Sequence, residues 1–452
     1  MFKLPSFSMA LVPTLVALTF ACTAQAQSDE AVAPTPEQVK PAVDQAYQRL
    51  MASPAIAGLL EAVKADHGRS LAELKQLNEI EAPPFKEQKR GEDFLARVKA
   101  LGMTDARIDA EGNVIALRKG AGNGPKLVVS AHLDTVFPAG TDVKVKEKDG
   151  RFLAPGIADD GRGLSVLLSW IKVLDDNKVQ TVGDVLFVAN TGEEGLGDLR
   201  GMKRLFAEQL DIDGLVGLEP MPDGGVLVLG TGSKRYEFVF KGPGGHSFDA
   251  FGKVPSAIHG MGLAIAKISR IQTPSEPKTT FTVGVVSGGQ SVNSIAPEAK
   301  MAVDVRSNEM GPLLETTKKV MAAVDEAVAE ENARWGVKTL SVSHRIIGDR
   351  PGGRTPINSP IVEAAIRANT AFGQKTSLKG LSTDANVPMS LGIPAIIVGS
   401  GGSSGNYHAL SEWFDPTDAW KGAQTSLMTV LGLVGVQGVS EPLLPKRPAR
   451  AK

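Results

Sequence analysis

A chain of 452 residues is long enough for two domains and a sizeable core. Its 49 Lys and Arg against 50 Asp and Glu leave a formal net charge of −1, which removes any electrostatic case for nucleic acid or an acidic membrane surface. Hydrophobic residues at 42% and charged residues at 22% are ordinary for a soluble globular protein, with no low-complexity tract or solenoid repeat.

Lys3 precedes an apolar stretch from Met9 to Phe20, and Ala24-Gln25-Ala26 follows it. A positive start, a short apolar run and an Ala-x-Ala site predict a secretory signal over residues 1–26, cut after Ala26 and directing the chain to the periplasm. The run is too short and too interrupted to serve as a stable membrane anchor. Cys22, the sole cysteine, lies inside that signal, so the mature chain has no disulfide, thiolate ligand or cysteine nucleophile. Any metal must then be held by histidines and carboxylates, which favours zinc, manganese or cobalt over iron–sulfur chemistry.

After a Pro- and Ala-rich lead-in from Ser28 to Pro41, helical periodicity runs through Val43–Leu60 with a break at Pro54, Leu71–Ile80 and Glu92–Leu101. From Leu127 the pattern becomes strand, loop, helix. Strands are predicted from Leu127, in the run to Thr135, and at Val185–Ala189 and Leu215–Leu218, and helices at Leu164–Leu174 and Leu199–Gln209. That alternation predicts an α/β domain with a mostly parallel sheet covered by helices. Beyond Thr231 the texture changes to α+β, with strands at Tyr236–Phe240, Thr280–Val286, Lys300–Arg306 and Leu340–His344, and helices at Pro255–Ile271 and Leu313–Asn332. The first texture then resumes, with helices near Ile361–Ala371 and Thr417–Leu433 and a strand at Ala395–Val398. The division read from this is a first catalytic part at 27–231, an inserted unit at 232–348, a second catalytic part at 349–440 and a disordered tail at 441–452.

The chemistry gathers at strand ends. His132 and Asp134 close the run from Leu127 and share one side of an extended chain, where a carboxylate can orient an imidazole as a metal ligand. A buried structural His–Asp pair would look the same. Asp159-Asp160 precedes one helix, Glu193-Glu194 follows one strand and Glu219-Pro220 follows another. Adjacent carboxylates repel one another, so such pairs at the exit of buried strands call for cations or solvent. His408 falls in a glycine-rich loop after a further strand, while His67, His259 and His344 read as structural. Two divalent ions sharing a carboxylate could ionise a water and polarise a carbonyl, and a neighbouring free carboxylate could serve as general base.

Five ordered motifs make the chain similar to the M20 family of co-catalytic zinc peptidases and amidohydrolases, between about Leu71 and Gly435. They are Ser130-Ala131-His132-Leu133-Asp134-Thr135-Val136, Gly156-Ile157-Ala158-Asp159-Asp160, Gly192-Glu193-Glu194, Gly217-Leu218-Glu219-Pro220 and Tyr407-His408. The resemblance implies a zinc-exopeptidase-type α/β fold with an inserted ferredoxin-like α+β lid and dimerisation domain. It also implies two divalent ions, most simply Zn2+ with Co2+ or Mn2+ as alternatives. In the family pattern His132 and Glu219 hold one ion, Glu194 and His408 the other, and Asp159 bridges them. Asp134 matches the carboxylate that orients His132, and Glu193 the general base. In the lid, His246 matches an oxyanion-stabilising residue that reaches a partner subunit, and Asn293 and Arg306 match substrate-binding positions. The implied activity is hydrolysis of small peptides by an exported, homodimeric exopeptidase. The alternatives are an N-acyl amino acid deacylase and a non-catalytic scaffold, the latter disfavoured because every ligand and Glu193 are present. Gly161-Arg162 and Gly195-Leu196-Gly197-Asp198 depart from the family's usual continuations, which leaves the pocket's shape open.

Overall fold

Apolar runs at Lys126–His132, Asp184–Asn190, Gly214–Glu219 and Ala395–Gly399 form the centre of a nine-stranded sheet and pair parallel with one another. The computed structural model describes residues 39–451. The expected signal, its cleavage point, Cys22 and most of the lead-in lie outside the described residues. Both faces of the central strands are covered, and alternate side chains go to opposite cores. Leu127, Val129 and Ala131 pack on one side and Val128 on the other; Val185, Phe187 and Ala189 oppose Leu186 and Val188 in the same way. Gly161–Asp176, Pro360–Ala371 and Ala419–Val434 supply helices to the first core, and Arg200–Glu208 to the second.

The sheet is less parallel than the sequence predicts. Val114–Arg118, which sequence periodicity overlooks, joins antiparallel at one flank. At the other, Gly225–Gly230 pairs antiparallel with Ala395–Gly399 and parallel with Ser377–Leu381. These strands are short and bounded by glycine or polar residues, so no long apolar run announces them. Among the described residues no helix is long and apolar enough to cross a membrane.

Residues Gly232–Arg350 build a separate antiparallel sheet in the chain order β-α-β-β-α-β, with Thr279–Gly288 at one edge and Ser341–Arg350 at the other. This is the ferredoxin-like arrangement. Helices Ala257–Ile268 and Met310–Trp335 cover one face over a core that includes Phe238, Phe240, Val303 and Val324. The unit ends later than the sequence division at 348, because the last strand stays paired as far as Arg350 opposite Ser233.

A small four-stranded sheet, not foreseen from sequence, joins Lys146–Lys148, Arg151–Leu153, Ser403–Gly405 and Trp413–Asp415. It sets the loop containing Asp159 beside the hairpin containing His408. The tail also differs from expectation. Leu444 is buried in the first core, the Arg447 N–H donates to Asp213 and the Arg450 N–H donates to the Leu210 carbonyl. The basic composition suggested disorder, but an apolar residue and two main-chain bonds hold this segment on the domain.

Candidate active site

Parallel strands deliver His132, the Glu193 loop and Glu219 to one edge. His132 stands opposite Asn190 and Glu219 opposite Gly399, each at the carboxyl end of its strand. This is where open α/β sheets place their ligands. The Asp159–Asp160 peptide is cis. Asp160 is wholly buried and caps the helix from Gly161, accepting from the Gly163 N–H at 3.0 Å while its other oxygen takes the His132 N–H at 3.0 Å. One carboxylate thereby fixes both the strand end and the start of the helix.

Asp159 lies between two imidazoles. Its Oδ1 is 2.9 Å from His132 Nε2, and its Oδ2 is 3.3 Å from His408 Nε2. His408 Nε2 is also 3.0 Å from Glu194 Oε1. Donor atoms of His132, Glu193 and Glu194 lie within 4.8 Å of one another, and so do those of Asp159, Glu194 and His408. Glu219 falls outside both groupings, although its charge interacts with Glu193, Asp159 and His132.

Electrostatics supply the test of whether these residues suit cations. Burial and the negative charge of Glu193 and Asp159 push the Glu219 carboxyl well above the usual range. Burial does the same to Glu193, only partly opposed by the Arg350 guanidinium. Burial works against ionised Asp159 too, but hydrogen bonds from His132 and His408 hold it below the ordinary value. His408 is pushed up to about 10 by its bonds to Asp159 and Glu194. The cluster is short of positive charge and rich in oxygen and imidazole donors, which is the chemistry a pair of divalent cations satisfies.

Asp134 acts differently from its predicted role. The oxygen that meets His132 Nδ1, at 2.9 Å, is its main-chain carbonyl; the nearer carboxylate oxygen is 3.8 Å away. The carboxylate instead accepts the Glu193 N–H at 3.0 Å and the Glu194 N–H at 2.8 Å. Fully buried Asp134 therefore fixes the ring through its backbone and the carboxylate pair through its side chain. Gly192 opens that pair at φ +68°, and a Cβ there would run into the Arg200 guanidinium.

Three of the predicted residues stand in the inserted unit. His246 is more than half exposed, with Nδ1 3.3 Å from the Phe248 N–H and 3.5 Å from Asp249. Asn293 lies beside it, since its carbonyl accepts the Ser247 N–H. Arg306 is engaged by Asp304 at 2.7 Å on the sheet surface, and Asp304 also takes Arg235 at 3.0 Å. Among the described residues His246 belongs to neither donor grouping.

Sequence reasoning missed four buried contributors. Arg350 donates to the Glu193 main-chain carbonyl and lies 3.4 Å from Glu193 Oε1. Asp384 accepts from Asn190 at 2.7 Å, and burial raises its carboxyl to about 6. Arg90 donates to the carbonyls of Asn78, Ile80 and Leu133, pinning the segment between His132 and Asp134. Glu412 accepts three main-chain N–H groups around Asp159. None of the four follows a strand that the sequence announces, so none left a readable signal.

Residues 128–431, more than half of the chain, match the family model described as Peptidase family M20/M25/M40. The chain belongs to this family, and is thus a hydrolase of peptide or amide bonds. It is 28% identical over 316 residues to the uncharacterized protein YqjE of Bacillus subtilis, covering 67% of this chain and 80% of that one. With carboxypeptidase G2 of Pseudomonas sp. it shares 33% identity over 150 residues, covering 31% and 35% of the two chains. With acetylornithine deacetylase of Myxococcus xanthus it shares 26% over 332 residues, covering 68% and 82%. Among solved structures, aminopeptidase PepT from Bacillus cereus superposes with a TM-score of 0.65 at 23% identity, over 80% of this chain and 98% of that one. The YxeP protein of Bacillus subtilis, a dinuclear metal-binding peptidase, gives 0.59 at 17% identity, over 81% and 99%. At such identities the two structures speak for the fold alone.

Proposed function

We propose that this chain is an exported, di-zinc exopeptidase that hydrolyses small peptides with Glu193 as general base. The observation that carries the reading is the Asp159 carboxylate, which offers one oxygen toward His132 and the other toward His408, with Glu193 alongside. His132, Asp159, Glu194, Glu219 and His408 would hold two Zn2+ ions, which would supply Lewis acidity for a water and for the scissile carbonyl. Co2+ or Mn2+ would suit the same donors. Glu193 takes a proton from the attacking water and returns it to the leaving amine. Asp134 keeps Glu193 and Glu194 in register through their N–H groups. Asn293 and Arg306 bind substrate carbonyl or carboxylate groups, Arg306 by leaving Asp304 for a bidentate contact.

A second reading, deacylation of N-acyl amino acids, is favoured by the similarity to acetylornithine deacetylase over 68% of the chain. A panel of di- and tripeptides set against N-acetyl amino acids separates the two. Cleavage of free peptides with release of a terminal residue supports the exopeptidase. Turnover confined to the acyl substrates replaces it with the deacylase.

The oxyanion role falls to His246 from a second copy of the chain, which requires a homodimer through the inserted unit. The edge strand Thr279–Gly288 exposes Val285 and Val286 and leaves one side of its backbone open to pairing. Sedimentation is expected to give a dimer, and Val286→Asp to dissociate it with loss of turnover. An active monomer would remove His246 from the mechanism.

A further inference from the structure

We propose that Glu412 is a positioning residue that locks the Asp159 loop to the His408 hairpin and so sets the spacing of the two cations. The proposal rests on the reading of the site as a two-cation centre, and adds a residue that touches neither ion nor substrate.

Glu412 has no exposed surface. Its Oε2 accepts the Gly156 N–H at 2.9 Å, and its Oε1 accepts those of Ala158 at 2.9 Å and Asp159 at 3.1 Å. Its backbone joins the same two segments, since the Ala154 N–H donates to the Glu412 carbonyl and the Glu412 N–H donates to the Ala409 carbonyl. Trp413 continues the connection by pairing with Leu153. One residue thus binds the loop of the bridging carboxylate and the turn that presents His408. That turn needs holding, because Asn406 and His408 both adopt positive φ, at 58° and 62°. That region is sparsely populated by residues with a Cβ, although Asn and His tolerate it better than most, so neighbours that hold the turn favour it.

The side-chain chemistry is specific. A carboxylate presents acceptors at both oxygens, which suits three inward N–H groups. Glutamine has a single acceptor oxygen and would turn an NH2 group toward at least one of those donors. The main-chain carriers of Asp159 and His408 would then be free to separate, with neither ligand side chain itself altered. Partners that orient metal ligands without touching the metal are worth about 10- to 100-fold in affinity.

The test titrates the metal-free mature chain and its Glu412→Gln variant with Zn2+ against a competing chelator, and records the absorption spectrum of the Co2+-loaded forms. The expected result is two ions bound by each protein, with affinity about 10- to 100-fold weaker in the variant and an altered Co2+ spectrum. Turnover should recover at saturating Zn2+ with KM unchanged. Wild-type affinity in the folded variant overturns the inference, even where its melting temperature has dropped, since that is the mark of a merely structural residue. If E412Q does not fold, E412D carries the comparison: it keeps the charge but draws the acceptors back by one methylene, and undiminished Zn2+ affinity there overturns the inference equally. A wild-type chain that binds no Zn2+ would instead overturn the two-cation reading itself.

Discussion

Replacing Glu193 by glutamine is expected to lower kcat on the order of 10³-fold, about 4 kcal/mol of barrier, while both cations stay bound. Glutamine keeps the shape of the side chain and its main-chain bonds to Asp134 and Arg350, so the change removes the basic oxygen and little else. The geometry makes metal analysis an essential companion measurement. Glu193 stands with His132 and Glu194 in one compact donor grouping, whereas Glu219, the acid the family pattern names as a ligand, does not. Loss of turnover with two equivalents of metal retained identifies a base. Loss that tracks a missing ion makes Glu193 a ligand, and undiminished activity sinks the assignment outright.

Removing the cations should make the folded chain progressively less stable as pH rises from about 5 to 8. The sign follows from the direction of each shift. Glu193, Glu219, Asp384 and Glu412 have carboxyls raised by burial, the last two to about 6 and about 7. The native state therefore keeps protons that the unfolded chain has already released, and stability falls through that interval. His408, raised to about 10, acts in the same direction, because its contribution is complete below the unfolded value near 6.5 and fades as pH climbs toward 10. Asp159 opposes only on the acid side, where its lowered carboxyl loses stability as pH falls below about 4. Cations should reverse the trend, since they bind the deprotonated ligands. At a hundredfold excess over Kd each adds about 2.7 kcal/mol. Thermal melts at pH 5 and pH 8, with chelator and with Zn2+, measure the effect. Melting that ignores Zn2+ at pH 8 would contradict a cation site.

The parallel strands and their acid-bearing ends were readable because buried strands need continuous apolar runs, and an acid at the end of the run from Leu127 or of Val185–Ala189 stands out against them. The helices of the inserted unit were readable for a different reason, the helical spacing of their apolar residues. Antiparallel flanks such as Gly225–Gly230 left no comparable trace. Neither did the small sheet that pairs Arg151–Leu153 with Trp413–Asp415, whose strands are three residues each. Glu412 and Arg350 were invisible for a deeper reason. Their partners lie more than 150 residues away along the chain, and an isolated acid or arginine in a loop carries no periodic signature. The docking of the tail through Leu444 and Arg450 is legible only once the surface that receives it exists.

Arg350 ties the inserted unit to the acidic cluster. The last residue of that unit's final strand is the guanidinium that attends Glu193, and Arg235, from its first strand, donates to the Gly195 carbonyl just beyond the acidic pair. Asp349 adds a third tie, its N–H donating to Asp198 at 2.8 Å. A trimmed chain with residues 232–350 spliced out would retain His132, Asp159, Glu194, Glu219 and His408 but surrender the counter-charge beside Glu193. The insertion is therefore not a detachable module, and grafting it between homologues would carry along the guanidinium that faces Glu193.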